Sequence, residues 1–291
     1  MSPRSRVPGD ADAPQAPEPL AGPVIDSHTH LDVHDTDLHG DMLPDADAIL
    51  AAAADVGVTR VVQIGCDVES ARKSVEFAAT RPSVIAGVAL HPNEPPRIVE
   101  RHGRQALEQA WSAIAELAGD PVVRAVGETG LDYFRTGDEG RAVQQESFRW
   151  HIRLAKQVDK TLVIHDRDSH DDVLRILDEE GAPGRVVFHC FSGDAAMARY
   201  CAERGWYMSF AGVVTYKNND SLREALRVVP DDLVLVETDA PYLTPVPHRG
   251  KPNASWLMPF TVRAIAVDRG MSEIDMCAQL TANTLRAFGD W

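Results

Sequence analysis

The strongest constraint on this chain is an alternation. From Val24 onward, a short apolar run, a polar turn and a helical stretch follow one another again and again. Eight such runs occupy 24–27, 59–64, 84–89, 122–127, 162–164, 185–188, 206–210 and 233–237. Several are β-branched and apolar on both parities, as parallel strands covered on both faces must be. Helical patterns fall at 46–55, 69–80, 104–117, 141–158, 169–180, 194–204 and 221–229, and two more at 258–268 and 272–288. Ser169 and Ser272 are placed as N-caps, and Gly57, Gly181 and Gly205 as helix stops. Eight strands alternating with helices over about 250 residues predict an α/β chain folded as a single-domain (β/α)8 TIM barrel spanning residues 24–291. An open doubly wound sheet is the competitor, but no Gly-x-Gly-x-x-Gly follows the first strand.

The flanking composition narrows the setting. Residues 1–23 hold six of the 19 prolines and lack the apolar core of a signal peptide, so a disordered tail is expected there. No later apolar run is long enough to span a membrane. Cys66, Cys190, Cys201 and Cys277 are widely spaced, with no Cys-x-x-Cys pair. That excludes a disulfide framework and a structural zinc pattern and suits a reducing compartment, so the cytoplasm is the expected location. The net charge of -15 repels nucleic acid at long range, so any phosphate chemistry needs a local cationic patch or a metal. Nothing marks an obligate protein partner.

Chemistry in such a barrel belongs at the C-terminal ends of the strands. The first run ends in His28 and His30, whose i, i+2 spacing puts both rings on one strand face, with Asp26 on the same parity below. The third ends in His91, the fourth in Glu128 through Asp132, the fifth in His165, the sixth in His189, and the eighth in Glu237-Thr238-Asp239. The second ends in Gly65-Cys66-Asp67 and the seventh in Ser209 through Gly212, with no obvious ligand. One histidine at one strand end means little. Five of the 11 histidines at strand ends that converge on one mouth predict a metal centre. His34, His39, His102, His151 and His170 read as solvated or locally bonded. Cys190 reads as an inert thiol facing away from its neighbour His189, and no Gly-x-Ser-x-Gly nucleophile elbow is present.

Four histidines and two carboxylates exceed the needs of one catalytic zinc and suit two divalent ions, Mg, Mn or Zn. Glu128 is the expected bridge, with His28, His30 and Asp239 on one ion and His165 and His189 on the other. No lysine lies on the fourth strand to serve as a modified bridge. Asp239 is either a ligand alone or also the group that deprotonates the attacking water. Glu237 either orients a ligand or is a polar residue of a barrel layer. Past the last strand, Pro245 through Asn253 carries His248, Arg249 and Lys251 within four residues. Arg249 and Lys251 are expected to bind substrate phosphate, and His91 to contact substrate.

Taken together, Asp26-Ser27-His28-Thr29-His30-Leu31, Gly127-Glu128-Thr129-Gly130-Leu131-Asp132-Tyr133, Phe188-His189-Cys190-Phe191-Ser192-Gly193, Glu237-Thr238-Asp239-Ala240-Pro241-Tyr242-Leu243 and Asn283-Thr284-Leu285-Arg286 resemble the signatures of the TatD-type metal-dependent deoxyribonucleases. These are amidohydrolase-like barrels. The resemblance implies hydrolysis of DNA phosphodiester bonds by a metal-activated water, often from the 3′ end, with single-stranded DNA or 3′ ends as substrate. It implies metal ligation by His28, His30, Glu128, His165, His189 and Asp239, with His91 also matched. The family's strand-8 loop commonly reads Arg-Gly-Lys-Arg-Asn-Glu-Pro, whereas here it is Arg249-Gly250-Lys251-Pro252-Asn253-Ala254-Ser255. The alternatives are hydrolysis of another ester or amide bond, as in an aminoacyl-tRNA deacylase or a phosphotriesterase-like enzyme, and a non-enzymatic interaction protein on a retained barrel.

Overall fold

The computed structural model describes residues 14–31 and 45–291. Residues 1–13, the N-terminal part of the expected tail, lie outside the described residues, as do His34 and His39. Eight strands form one sheet in sequence order, every ladder parallel. They are β1 Val24–Thr29, β2 Val58–Gly65, β3 Val84–Val88, β4 Val123–Asp132, β5 Thr161–Arg167, β6 Val186–Phe188, β7 Tyr207–Phe210 and β8 Val234–Val236. The helices between and after them are α1 Ala46–Asp55, α2 Val68–Ala79, α3 Glu94–His102, α4 Arg104–Ala118, α5 Asp138–Val158, α6 His170–Glu180, α7 Ala195–Glu203, α8 Asp220–Val228, α9 Met258–Arg269 and α10 Glu273–Phe288. Together they make a single-domain α/β barrel of the TIM type.

Helix α3 escapes the sequence pattern because it opens on Glu94-Pro95-Pro96, and prolines read as loop. At the first turn of a helix their missing N–H costs nothing. Ser272 caps α10 by accepting from Asp275 N. Ser169 stands at the N-cap position of α6 but accepts no capping bond, and its one hydroxyl proton is shared between Asp166 Oδ1 (2.8 Å) and Leu131 O (3.0 Å). Residues 14–23 lie against the barrel ahead of the expected Val24 boundary. Leu20 is buried, Trp256 Nε1 donates to Pro14 O (3.1 Å), and Arg263 Nη2 donates to Glu18 O and Pro19 O.

Two cores flank the strands. The larger lies between sheet and helices and includes Val61, Val88, Leu107, Ile152, Leu162 and Phe188. The smaller fills the barrel itself, with Ile64, Ile85, Ala125, Val163, Val187 and Leu235 pointing inward above Ala287 and Phe288. The chain end around those last two residues sits at the starts of the strands. Thr161 Oγ1 donates to Ala287 O, and Arg60 reaches Asp290. The bottom of the barrel is thus plugged by apolar groups, and only the top is left for polar ones. Period-two alternation does the rest. Continuing inward from Ile64, Val163, Val187 and Leu235 leads to Cys66, His165, His189, and Glu237 with Asp239.

The seam between β8 and β1 is closed by a carboxylate. Asp26 is fully buried and accepts from Thr238 N (2.9 Å), Thr238 Oγ1 (2.6 Å) and Ser255 Oγ (2.7 Å). Just above, Asp239 N donates to His28 O and His30 N to Ala240 O, each at 2.9 Å. Asp26 shares the parity of the two histidines, but its oxygens are spent on this seam. Burial pushes its carboxyl up to about 7 against the pull of those donors.

Candidate metal centre

Glu128 stands at the middle of the mouth. Strict alternation from Ala125 would turn it outward. A register shift between Val126 and Thr129 in the β4–β5 ladder resets the parity and brings it in. Gly130 allows the tight approach of β5 there. Its φ is +134°, and a Cβ at that position would lie 2.1 Å from His165 O.

The two carboxylate oxygens of Glu128 face two different histidine pairs. Oε1 lies 4.0 Å from His28 Nε2 and 3.7 Å from His30 Nε2, and those two nitrogens are 3.3 Å apart. Asp239 Oδ1 joins that group, 3.8 Å from His28 Nε2 and 3.5 Å from His30 Nε2. On the other side Oε2 lies 2.7 Å from His189 Nε2 and 3.3 Å from His165 Nδ1, which are themselves 3.3 Å apart. Asp239 reaches its position two residues beyond Glu237 with a left-handed backbone (φ 54°), a conformation that aspartate tolerates. The structure therefore brings His28, His30, Glu128, His165, His189 and Asp239 into one cluster.

The electrostatics fit cation binding. Burial holds the His28 imidazolium well below its ordinary range. Burial also opposes charge on His30, but a hydrogen bond to Asp239 and the charges of Glu128 and Asp239 outweigh it and raise it to about 9. His189 is raised well above its usual value, burial again being overcome by Glu128 and then Glu237. Glu128 is held well below the carboxylate range because His189, His91 and His165 outweigh its burial. Without a metal, protons on rings supply the positive charge that Glu128 and Asp239 demand. Opposed imidazole nitrogens only 3.3 Å apart in each histidine pair are what a cation would satisfy better.

Behind the inner ring stand groups that orient it. His30 Nδ1 bonds Ile64 O (3.1 Å), His165 Nε2 faces Asp132 Oδ2 (3.4 Å), and His189 Nδ1 faces Glu237 Oε1 (3.4 Å). This arrangement selects the tautomer that presents the other nitrogen to a metal. Asp132 is itself held by Asn93 Nδ2 and Arg135 N. Glu237 accepts from Cys190 N (2.7 Å) and is fully buried, which makes it an orienting residue within a barrel layer.

The remaining sequence candidates are placed as follows. The His91 ring centroid is 4.6 Å from that of His165, its Nδ1 accepts from Asn93 N, and burial lowers its pKa to about 3. It lies with His165 and Asp132, beside the two main groups. Arg249 stacks over Tyr216 (4.4 Å), Lys251 is exposed, and neither makes an ion pair among the described residues. His248 packs against Phe260. His151 is fully buried and accepts from Leu90 N at Nε2 (3.1 Å), and His170 Nδ1 bonds Asp166 Oδ2 (2.7 Å). Burial pushes the Cys190 thiol far up, consistent with an inert group. Cys66 escapes the sequence reading. Its Sγ lies 3.2 Å from Glu128 Oε1 and 3.9 Å from His30 Nδ1. The missed signal is parity, since Cys66 follows the inward-facing Ile64 by two.

A (β/α)8 barrel carrying imidazoles and carboxylates at the top of its strands defines a metal-dependent hydrolase. The match is specific: residues 25–289 fit the family described as TatD related DNase, and the chain belongs to that family. It is 44% identical over 275 residues to the uncharacterized metal-dependent hydrolase TatD of Mycobacterium tuberculosis, covering 91% of this chain and 98% of that one. It is 36% identical over 270 residues to the uncharacterized metal-dependent hydrolase YcfH of Escherichia coli K12, covering 91% and 95%. The crystal structure of YJJV, a TatD homolog from Escherichia coli K12, superposes with a TM-score of 0.79 at 26% identity, covering 91% of this chain and 97% of that chain. The Asn283-Thr284-Leu285-Arg286 signature lies far from the ligands. Asn283 Nδ2 donates to Asp231 O and Val234 O, tying α10 to the start of β8. Among the described residues, no helix is long and apolar enough to cross a membrane.

Proposed function

We propose that this chain hydrolyses phosphodiester bonds of DNA at single-stranded or 3′ ends, using two divalent ions. The observation that carries the reading is Glu128, with one oxygen facing His28 and His30 and the other facing His165 and His189. A carboxylate so placed suits a bridge between two ions. His28, His30 and Asp239 would hold one ion and His165 and His189 the other. The imidazole and carboxylate donor set suits Zn or Mn, and Mg less well. Bound there, the ions supply Lewis-acid activation of a water and neutralise charge at the phosphoryl centre.

The protein groups divide the rest of the work. Asp239 has 14% of its side chain exposed, against 6% for Glu128 and none for Glu237. It is therefore the carboxylate of the cluster that reaches the open mouth, which suits it to take a proton from the attacking water. Glu237 and Asp132 keep His189 and His165 in position. Arg249 and Lys251 grip substrate phosphate, and His91 lines the substrate side beside His165. With a net charge of -15, a contact confined to a strand end is electrostatically cheaper than an extended duplex footprint. The widely spaced cysteines support a cytoplasmic setting.

The test is release of nucleotides from end-labelled single-stranded DNA by protein loaded in turn with Zn, Mn and Mg, its metal content verified by elemental analysis. Aryl esters, a phosphotriester and aminoacyl-tRNA serve as parallel substrates. Release from DNA is expected. A fully loaded protein that leaves DNA intact and turns over one of the others overturns the nuclease reading.

A further inference from the structure

This acidic chain neutralises most of its arginines. Arg81 pairs with Asp47, Arg149 and Arg153 with Glu180, Arg175 with Asp172, and Arg263 with Glu273. Among the described residues some cations stay unpaired, on the outer helices (Arg72, Arg101 and Arg199) and also at the barrel mouth. Arg135 after β4, Arg167 at the end of β5, and Arg249 and Lys251 after β8 make no ion pair among the described residues. What sets these apart is their place beside the cluster, where an unpaired cation can meet an anion.

One of these cations is coupled to an aromatic ring in an unusual place. Phe134 is 63% exposed, more than any other large aromatic described. The Arg167 guanidinium carbon stands 4.0 Å from its ring centroid. Phe134 follows Asp132 by two residues and Arg167 follows His165 by two. Tyr133 N donates to Arg167 O (2.9 Å), which locks the two segments side by side just beyond the metal cluster. Leaving a phenyl ring in water forfeits much of the stabilisation that its burial would yield. The strand order puts β4 and β5 across the barrel from β8. There the Arg249–Tyr216 pair repeats the same cation-on-ring arrangement. Two stacked cation–aromatic pairs thus flank the cluster from opposite walls of the mouth.

We infer that the Phe134–Arg167 pair is a stacking subsite for the nucleobase next to the scissile phosphate. The ring carries the base and the guanidinium meets the adjoining backbone. Every base has a π-face, so the subsite is tolerant of sequence. It requires an unstacked base, so it favours a frayed or single-stranded end over a closed duplex. This assignment rests on the DNA reading above and adds how the end is held.

The test uses metal-loaded full-length protein and short single-stranded phosphorothioate oligonucleotides, with and without abasic sites at the 3′ end, followed by fluorescence anisotropy. Hydrolysis of the corresponding phosphodiester strands is followed in parallel. The wild type is expected to bind the base-bearing strand about 5- to 150-fold more tightly than the abasic one, the range for one base stacked on an aromatic side chain. Phe134→Ala removes that preference and Phe134→Trp restores it. Equal binding of both strands by the wild type, or an unchanged preference in Phe134→Ala, overturns the subsite. If the wild type nonetheless hydrolyses both strands, the nuclease reading survives that failure. If loaded protein neither binds nor cleaves any strand, both fall.

Discussion

Glu237 Oε1 lies 3.4 Å from His189 Nδ1, so a fully buried carboxylate stands directly behind an imidazole whose other nitrogen faces Glu128. The same Glu237 oxygen accepts from Cys190 N, which fixes its position. Such a partner sets the tautomer and raises the basicity of a ligand. Glu237→Gln is expected to weaken metal affinity and lower turnover about 10- to 100-fold while leaving the fold intact. Metal titration of the apo-protein checks this, and unchanged affinity would limit Glu237 to packing.

Among the described residues, Glu128 is the one carboxylate whose two oxygens face both histidine pairs. Glu128→Ala is therefore expected to lose metal from both sides of the cluster and more than about 100-fold in activity. His28→Ala should lose one ion and most activity. Both variants should keep the far-ultraviolet circular dichroism of the parent, because the ligands sit above the apolar barrel core. Elemental analysis showing full metal content in Glu128→Ala would refute the bridge.

Asp26 predicts a defect of another kind. Asp26→Ala strips an acceptor from Thr238 N, Thr238 Oγ1 and Ser255 Oγ at once, in a place without solvent. Buried donors left without partners cost about 1–3 kcal/mol each, partly relieved by relaxation, so a loss of roughly 3 kcal/mol is expected in urea unfolding. A variant as stable as the parent would show that the β8–β1 seam closes without it.

Arg249 and Lys251 are exposed and lack carboxylate partners among the described residues. If they neutralise substrate phosphates, Arg249→Ala and Lys251→Ala raise KM for single-stranded DNA with little change in kcat. The slope of log KM against log salt should shrink by about 0.7 for each phosphate that a variant no longer neutralises. Steady-state kinetics over a salt series measures both. An unchanged slope would assign the two cations to the loop alone.

His151 gives a pH dependence of stability. It is fully buried, and burial lowers its pKa to about 4 from an ordinary value near 6.5. Between those values the unfolded chain binds a proton that the folded chain refuses. Its contribution is therefore complete above pH 6.5 and is lost as pH falls toward 4, by about 3 kcal/mol in all. Urea titrations of the parent and His151→Gln at several pH values should show a shallower acid-side slope in the variant. Parallel slopes would reject the assignment.

The sequence by itself determined the barrel, because apolar runs of strand length on both parities permit little else than a parallel sheet covered by helices. It also determined which residues meet, since every strand of such a barrel delivers its C-terminal residue to the same mouth. His28, His30, His165 and His189 needed no more than that. Tertiary structure decided what depends on register and on distant neighbours. The shift after Val126 turns Glu128 inward, where plain alternation would turn it out. Asp26 has the parity of a ligand but is claimed by Thr238 and Ser255, residues more than 200 positions away. Cys66 reaches Glu128 only because β2 and β4 converge at their tops. Alternation is a property of one strand and is written in its residues. A hydrogen bond across the seam depends on how the ends of the chain meet, and only the closed barrel supplies that.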